Sequence, residues 1–430
     1  MTFHSNWNAR TGVNDCWGYT APNGDEYALV GSTSGTSVIN VTDPAVPYET
    51  GFIPGPSSTW RDIKTYSTYA YVTTEAGGGL EIIDLSDPEN PADLANYTGG
   101  FTTAHNIYID TTTARAYIAG SNLGSGGVRI LDLSVPTAPV EIGSWETAYF
   151  HDVMVQNGRL YGSAIWADTI YVLDVSNPAS VTVLGSKTGY PNAFTHNAWV
   201  TEDDNYLMTT DELTGSACRM WDLTNLPTIT QSSIYLPNPA TIPHNAHIEG
   251  DYAYISHYSL GVRIVDISDP FNVTEVGYYD TYPNNDAGGY NGCWGAFPFF
   301  ETSPDLLLAS DRSTGLYVLS YSPPGSAVDA PVVAAADGFR VDSGAPNPFR
   351  AGELTTVALQ VPAAGPVRAE VFDVSGRRVA DLLDETLAPG AHRITWDGRA
   401  ADGAKVPAGT YFLKVRTDAG QETRKMVVVR

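Results

Sequence analysis

HNAHIEGDYAYISHYSLGVRIVDISDPFN, residues 244–272, holds three of the chain's eight histidines and two β-strand signatures. Its last part, VRIVDISDPFN (262–272), alternates apolar and other residues and then runs into Asp, Ser and Pro. Strict alternation is the mark of a half-buried strand, and the Asp/Ser/Pro cluster is the mark of a tight turn. The first part, HNAHIEGDYAYISH (244–257), reads as a polar pair, a short alternating strand, a turn and an aromatic strand. Whether this segment is unique or one of a series decides the fold and the meaning of the histidines.

It is one of a series. The Asp/Ser/Pro half recurs at SVINVTDPAVP (37–47), LEIIDLSDPENP (80–91), VRILDLSVPTAP (128–139), IYVLDVSNP (170–178) and CRMWDLTNLP (218–227), with a degenerate copy at LYVLSYSPP (316–324). The other half recurs at RDIKTYSTYAYVTTE (61–75) and HDVMVQNGRLYGSA (151–164). The period is about 45 residues, with about four short strands in each of seven units, which predicts a seven-bladed β-propeller over residues 1–322. No segment keeps a helical period, so a helical solenoid is excluded. TFHSNWN (2–8) has the phase of an outer strand such as EIGSWE (141–146), and the last unit stops after its third strand. The N-terminal segment is therefore expected to supply the outer strand of the seventh blade.

Composition agrees with an all-β chain rich in turns: 41 Gly, 28 Pro, 11% aromatic and 17% charged residues. The net charge of −25 is unevenly placed. Residues 1–338 hold 10 basic and 37 acidic residues, whereas 339–430 hold 13 and 11. So acidic a surface repels nucleic acid and anionic membranes and favours cations or neutral ligands. No apolar window is long enough for a transmembrane helix. MTFHSNWNAR lacks the regions of a signal peptide, and we expect one to have been trimmed from a secreted or cell-surface protein. Three cysteines are too few for a disulfide framework.

Longer motifs carry a resemblance. NDCWGYTAPNGDEYALVGSTSGTSVINVTDP, WRDIKTYSTYAYVTTEAGGGLEIIDLSDP, THNAWVTEDDNYLMTTDE and NGCWGAFPFF, in this order, resemble the choice-of-anchor B family of bacterial surface propellers built from LVIVD-type repeats. The resemblance covers roughly residues 5–322. It implies a secreted or surface-attached propeller with a variable anchoring tail, and it brings no established catalytic activity. Residues 323–342, rich in Pro, Ala and Gly, read as a linker. Residues 343–430, with VRAEVFDVSGRRVADLL and VPAGTYFLKVRT, resemble the FlgD-like, Ig-type domains of secreted bacterial proteins, many associated with type IX secretion sorting. That resemblance implies export or attachment through cell-surface or secretion machinery. Short alternating strands with turns at SG, DG and AG independently fit a small Ig-like β-sandwich.

In register, the seven units place a polar pair at the start of each innermost strand. The pairs are Asp15-Cys16, Arg61-Asp62, His105-Asn106, His151-Asp152, His196-Asn197, His244-Asn245 and Gly292-Cys293. A short polar side chain bonding backbone amides accounts for the second position. The first position is histidine in four consecutive blades, which a strand start does not require. Antiparallel topology brings second-strand ends to the same face, adding Glu75, Asp211, Glu212, His257 and Asp311 as ligand-binding candidates.

His105, His151, His196, His244, His247 and Asp152 are the metal-ligand candidates. Such imidazoles and carboxylates suit a divalent ion (zinc, manganese, iron, copper or calcium). A small polar ligand, or a hydrogen-bonded ring that plugs the channel, fits the same residues. Metal-dependent hydrolysis or oxidation is the one enzyme class left, since GxSxG, P-loop and HExxH motifs are absent. Cys16 and Cys293 share a register position in blades next to each other at the ring closure, as a disulfide or as two buried thiols. Trp17, Trp60, Trp166, Trp199, Trp294 and Tyr290, placed near the same face, are candidates for stacking on a glycan or for packing between blades. A protein partner in a surface assembly is the remaining reading.

Overall fold

The computed structural model of the chain describes residues 1–322, 340–341, 349–352, 355–361, 364–373, 377–387, 390–401, 403–417 and 420–429. The chain divides into two compact units, Met1–Tyr321 and Ser322–Arg430.

Strands dominate the first unit because its sequence alternates with period two and breaks at Asx turns. The aspartate of each Asp-x-Ser motif accepts the backbone N–H two residues on: Ser86 to Asp84 at 2.8 Å, Ser134 to Asp132 at 2.7 Å, Ser268 to Asp266 at 2.9 Å. Among the described residues, seven four-stranded antiparallel sheets result, each with the blade pattern of a β-propeller. Their innermost strands are Val13–Thr20, Arg61–Tyr66, Asn106–Asp110, Asp152–Gln156, Thr195–Val200, Ala246–Glu249 and Cys293–Phe297. Each packs beside the next, and Cys293–Phe297 packs beside Val13–Thr20, so the circuit closes. The N-terminal strand Thr2–Trp7 pairs antiparallel with Gly315–Ser320 and completes the last sheet, as expected.

The core lies between sheets rather than within one. Ile118, Ile107 and Leu131 of the third sheet pack with Tyr71, Leu80 and Ile82 of the second. Val153, Val155 and Leu173 of the fourth pack with Tyr117, Val128 and Ile130 of the third. Each such aliphatic side chain contributes about 2 kcal/mol of burial. No sheet can bury its apolar faces alone.

In the second unit a three-stranded sheet (Arg340–Val341, Thr355–Val361, Gly390–Trp396) faces a five-stranded sheet that includes Gly365–Asp373, Gly409–Thr417 and Gly420–Val429. Val357, Leu359, Ile394 and Trp396 from one side meet Val367, Val371, Leu413 and Met426 from the other. Arg340–Val341, placed in the linker from sequence, pairs with Leu359 and Gln360 and so belongs to this sandwich. The rest of the expected linker, 323–339 and 342, lies outside the described residues.

Candidate metal centre

The innermost strands all begin at one end of the channel, which brings the polar pairs together. The second position stitches neighbouring blades. Asp62 Oδ2 accepts the Ile107 N–H at 2.9 Å and the Asn106 side-chain amide at 2.5 Å. Asn106 Oδ1 accepts the Val153 N–H at 3.1 Å, and Asn197 Oδ1 accepts the Ala246 N–H at 3.0 Å. The Asn197 amide donates to Asp152 Oδ2 at 3.1 Å. Backbone amides are thus bonded, as expected, but they belong to the next blade's inner strand. Lys64, which carried no sequence signal, sits among them with Nζ 2.5 Å from Asp62 and 3.8 Å from Asp15. Burial works against the Lys64 charge, but these two carboxylates outweigh it and raise its pKa.

The first position forms a continuous arc of rings. Centroid separations are 3.8 Å for His105–His151, 4.2 Å for His151–His196 and 4.5 Å for His196–His244. Trp60 and Trp294 flank the arc at 6.5 and 4.5 Å. Every Nδ1 is bonded to an oxygen: Glu75 Oε1 at 2.7 Å for His105, Asp152 Oδ1 at 3.0 Å for His151, the His244 carbonyl at 3.1 Å for His196, and the Trp294 carbonyl at 2.5 Å for His244. A carbonyl only accepts, so Nδ1 of His196 and His244 carries the proton, and the carboxylates hold the other two rings the same way. In a neutral ring Nε2 then carries the lone pair. Burial pushes His196 down to about 4 and His244 well below the usual imidazole range. Burial also lowers His151, helped by the neighbouring His105 and His196. His105 differs: burial opposes its charge, but the Glu75 bond and the Asp152 and Asp62 charges outweigh it and raise its pKa.

Two sets of donor atoms, each within 4.8 Å, follow: His105 with His151 and Asp152, and His196 with Glu212 and His244. Glu212 Oε2 lies 3.7 Å from His196 Nε2, and its Oε1 accepts the Tyr258 hydroxyl at 2.5 Å. Burial raises Glu212 to about 7. A space of about 30 Å³, enough for one water or one ion, is lined by His105, His196, His244 and Asp152 together with Asp62 and Arg61, while His151 and Glu212 stand outside its lining. Imidazoles whose Nδ1–H is tied to a carbonyl or carboxylate are oriented as metal-ligating histidines are. The donor set therefore fits a borderline transition metal.

The other candidates fall elsewhere. His247 lies deeper, 4.6 Å ring to ring from Trp199 and 5.9 Å from Trp17, with its Nδ1 unpartnered; burial lowers it to about 3. His257 is buried with neither ring nitrogen hydrogen-bonded. Asp211 is held by the Tyr190 hydroxyl, the Phe194 N–H and Arg219, and Asp311 by Thr281 and the Ser313 and Thr314 N–H groups. Those two carboxylates stabilise loops between strands, because second-strand ends point between blades as well as into the channel. Cys16 and Cys293 are free, buried thiols. Trp60, Trp166 and Tyr290 are exposed, whereas Trp17 and Trp199 line a cavity at the opposite end. These aromatics therefore do not share one face of the channel.

The chain carries LVIVD repeats at residues 59–99, 116–147, 152–188 and 244–281, and a FlgD Ig-like domain at 347–421. It is 41% identical over 64 residues to the basal-body rod modification protein FlgD of Salmonella typhimurium, which is 15% of this chain and 27% of that protein. The chain thus spans about a quarter of that curated relative.

Among solved structures it is similar to PorZ, an essential bacterial surface component of the type-IX secretion system of Porphyromonas gingivalis. That likeness has a TM-score of 0.50 and 14% identity, over 100% of this chain and 61% of that one. It is also similar to the β-propeller domain of Cps50 (Swd1) from Myceliophteria thermophila (TM-score 0.51, 11% identity, 74% of this chain and 99% of that one). At such identities the likeness shows the fold. Among the described residues no helix is long and apolar enough to cross a membrane.

Proposed function

We propose that this chain is a secreted or cell-surface seven-bladed propeller that binds one divalent transition metal at the histidine-lined mouth of its channel. Its C-terminal domain serves export or attachment. The observation that carries the metal reading is the arc of four imidazoles with every Nδ1 committed to an oxygen, leaving Nε2 as the donor, and a space for one ion that three of the rings, His105, His196 and His244, line. Nitrogen donors favour zinc, copper, iron or manganese over calcium, which prefers oxygen cages. The surface reading draws support from the LVIVD repeats, the FlgD Ig-like domain and the fold shared with PorZ.

Elemental analysis of protein purified without chelators tests the metal reading. About one equivalent per chain is expected, falling to background in the His151→Ala/His196→Ala double variant. Protein that is metal-free under those conditions would leave the histidine arc as a hydrogen-bonded plug.

A further inference from the structure

A second and larger cavity, about 790 Å³, opens at the opposite end of the channel, lined by residues at or beyond the far ends of all seven inner strands. We infer that it binds a small organic cation, a protonated or quaternary ammonium group on an apolar body. Its walls are aromatic: Trp17, Tyr66, Tyr108, Trp199 and Phe299 all line it. The wall already accommodates one ammonium, since Lys64 Nζ lies 4.3 Å from the centroid of the Trp17 ring. Lys64 is the one basic side chain among the lining residues, and Asp62 and Asp15 match its charge.

Three further carboxylates, Glu202, Glu249 and Glu301, also line the cavity. Among the described residues none of the three forms an ion pair. The cavity therefore brings aromatic side chains together with carboxylates that have no cationic partner among the described residues. An anion is repelled, a neutral sugar gains stacking alone, and an organic cation gains both stacking and charge. The site lies apart from the histidine arc and does not depend on the metal reading.

The test titrates full-length protein with choline, with its uncharged isostere in which a tert-butyl group replaces trimethylammonium, and with methyl glucoside. Binding is followed by calorimetry and by tryptophan fluorescence. Choline should saturate, with the isostere at least about tenfold weaker. Chelator-treated protein should bind choline equally well. The Glu202→Gln/Glu249→Gln variant, altered at two exposed side chains and so expected to fold, should lose about fivefold or more in choline affinity. Equal affinity for choline and the isostere would overturn the inference. So would saturation by the glucoside alone, no saturation by any probe, or an unaltered rim variant.

Discussion

His257 is buried to 1% exposure, and neither of its ring nitrogens has a hydrogen-bond partner. A buried polar group left unpaired costs about 1–3 kcal/mol, so His257→Leu should stabilise the fold by about 1 kcal/mol, read as a higher denaturant midpoint. Its pH dependence has a definite sign. Burial lowers the folded-state pKa to about 4, against 6.5 for the free side chain. Between those values the unfolded chain takes up a proton that the folded chain does not, so stability falls as pH drops through this window. The advantage of His257→Leu should therefore widen from pH 6.5 toward pH 4 and then level off. A constant difference would contradict the buried, neutral assignment. Lys64 is the opposite case. Lys64→Met leaves Asp62 and Asp15 buried without their cation, and a loss of about 3–5 kcal/mol in unfolding free energy is expected.

The strand-to-turn element explains why the repeats tolerate so much sequence change and yet keep certain residues. The outer strand of one blade leans on the proline turn of the next. A Cβ on Gly51 would lie 2.4 Å from Pro91, and one on Gly143 only 2.0 Å from the Pro178 carbonyl oxygen. In the fifth sheet Ser233 holds the equivalent place, and its hydroxyl donates to the Pro270 carbonyl at 2.8 Å. Gly143→Ala should thus cost about 1–3 kcal/mol by forcing two blades apart, whereas Asp132→Ala, which removes one Asx bond, should cost about 1 kcal/mol. Thermal unfolding of the two variants checks the order, and a Gly143→Ala protein as stable as the parent would contradict it. The Asp/Ser/Pro turns were legible because their local chemistry is complete within four residues. The glycines were not, because their reason is a contact with another blade.

At the scale of the molecule the chain closes a ring by pairing Thr2–Trp7 with Gly315–Ser320. Removing residues 1–8 should bare that strand edge and lower the midpoint of thermal unfolding; an unchanged midpoint would show that the pairing does not stabilise the ring. The propeller was readable because every blade buries the same faces and so repeats the same pattern. Four of the ring histidines were readable for the same reason: one register position, repeated, converges on one channel end. Register placed His247 two residues further in, but did not reveal that it packs among Trp17, Trp199 and Phe299 rather than joining the arc, nor that Asp211 and Asp311 are consumed by neighbouring hydroxyls and amides. Lys64 and the aromatic cavity were missed because the far ends of the inner strands share no motif. The most direct test of the metal reading is anomalous diffraction from crystals of protein never exposed to chelator. A metal peak is expected about 2.0–2.2 Å from Nε2 of at least two of His105, His151, His196 and His244. Density at that position that carries no anomalous signal and fits only water would contradict it.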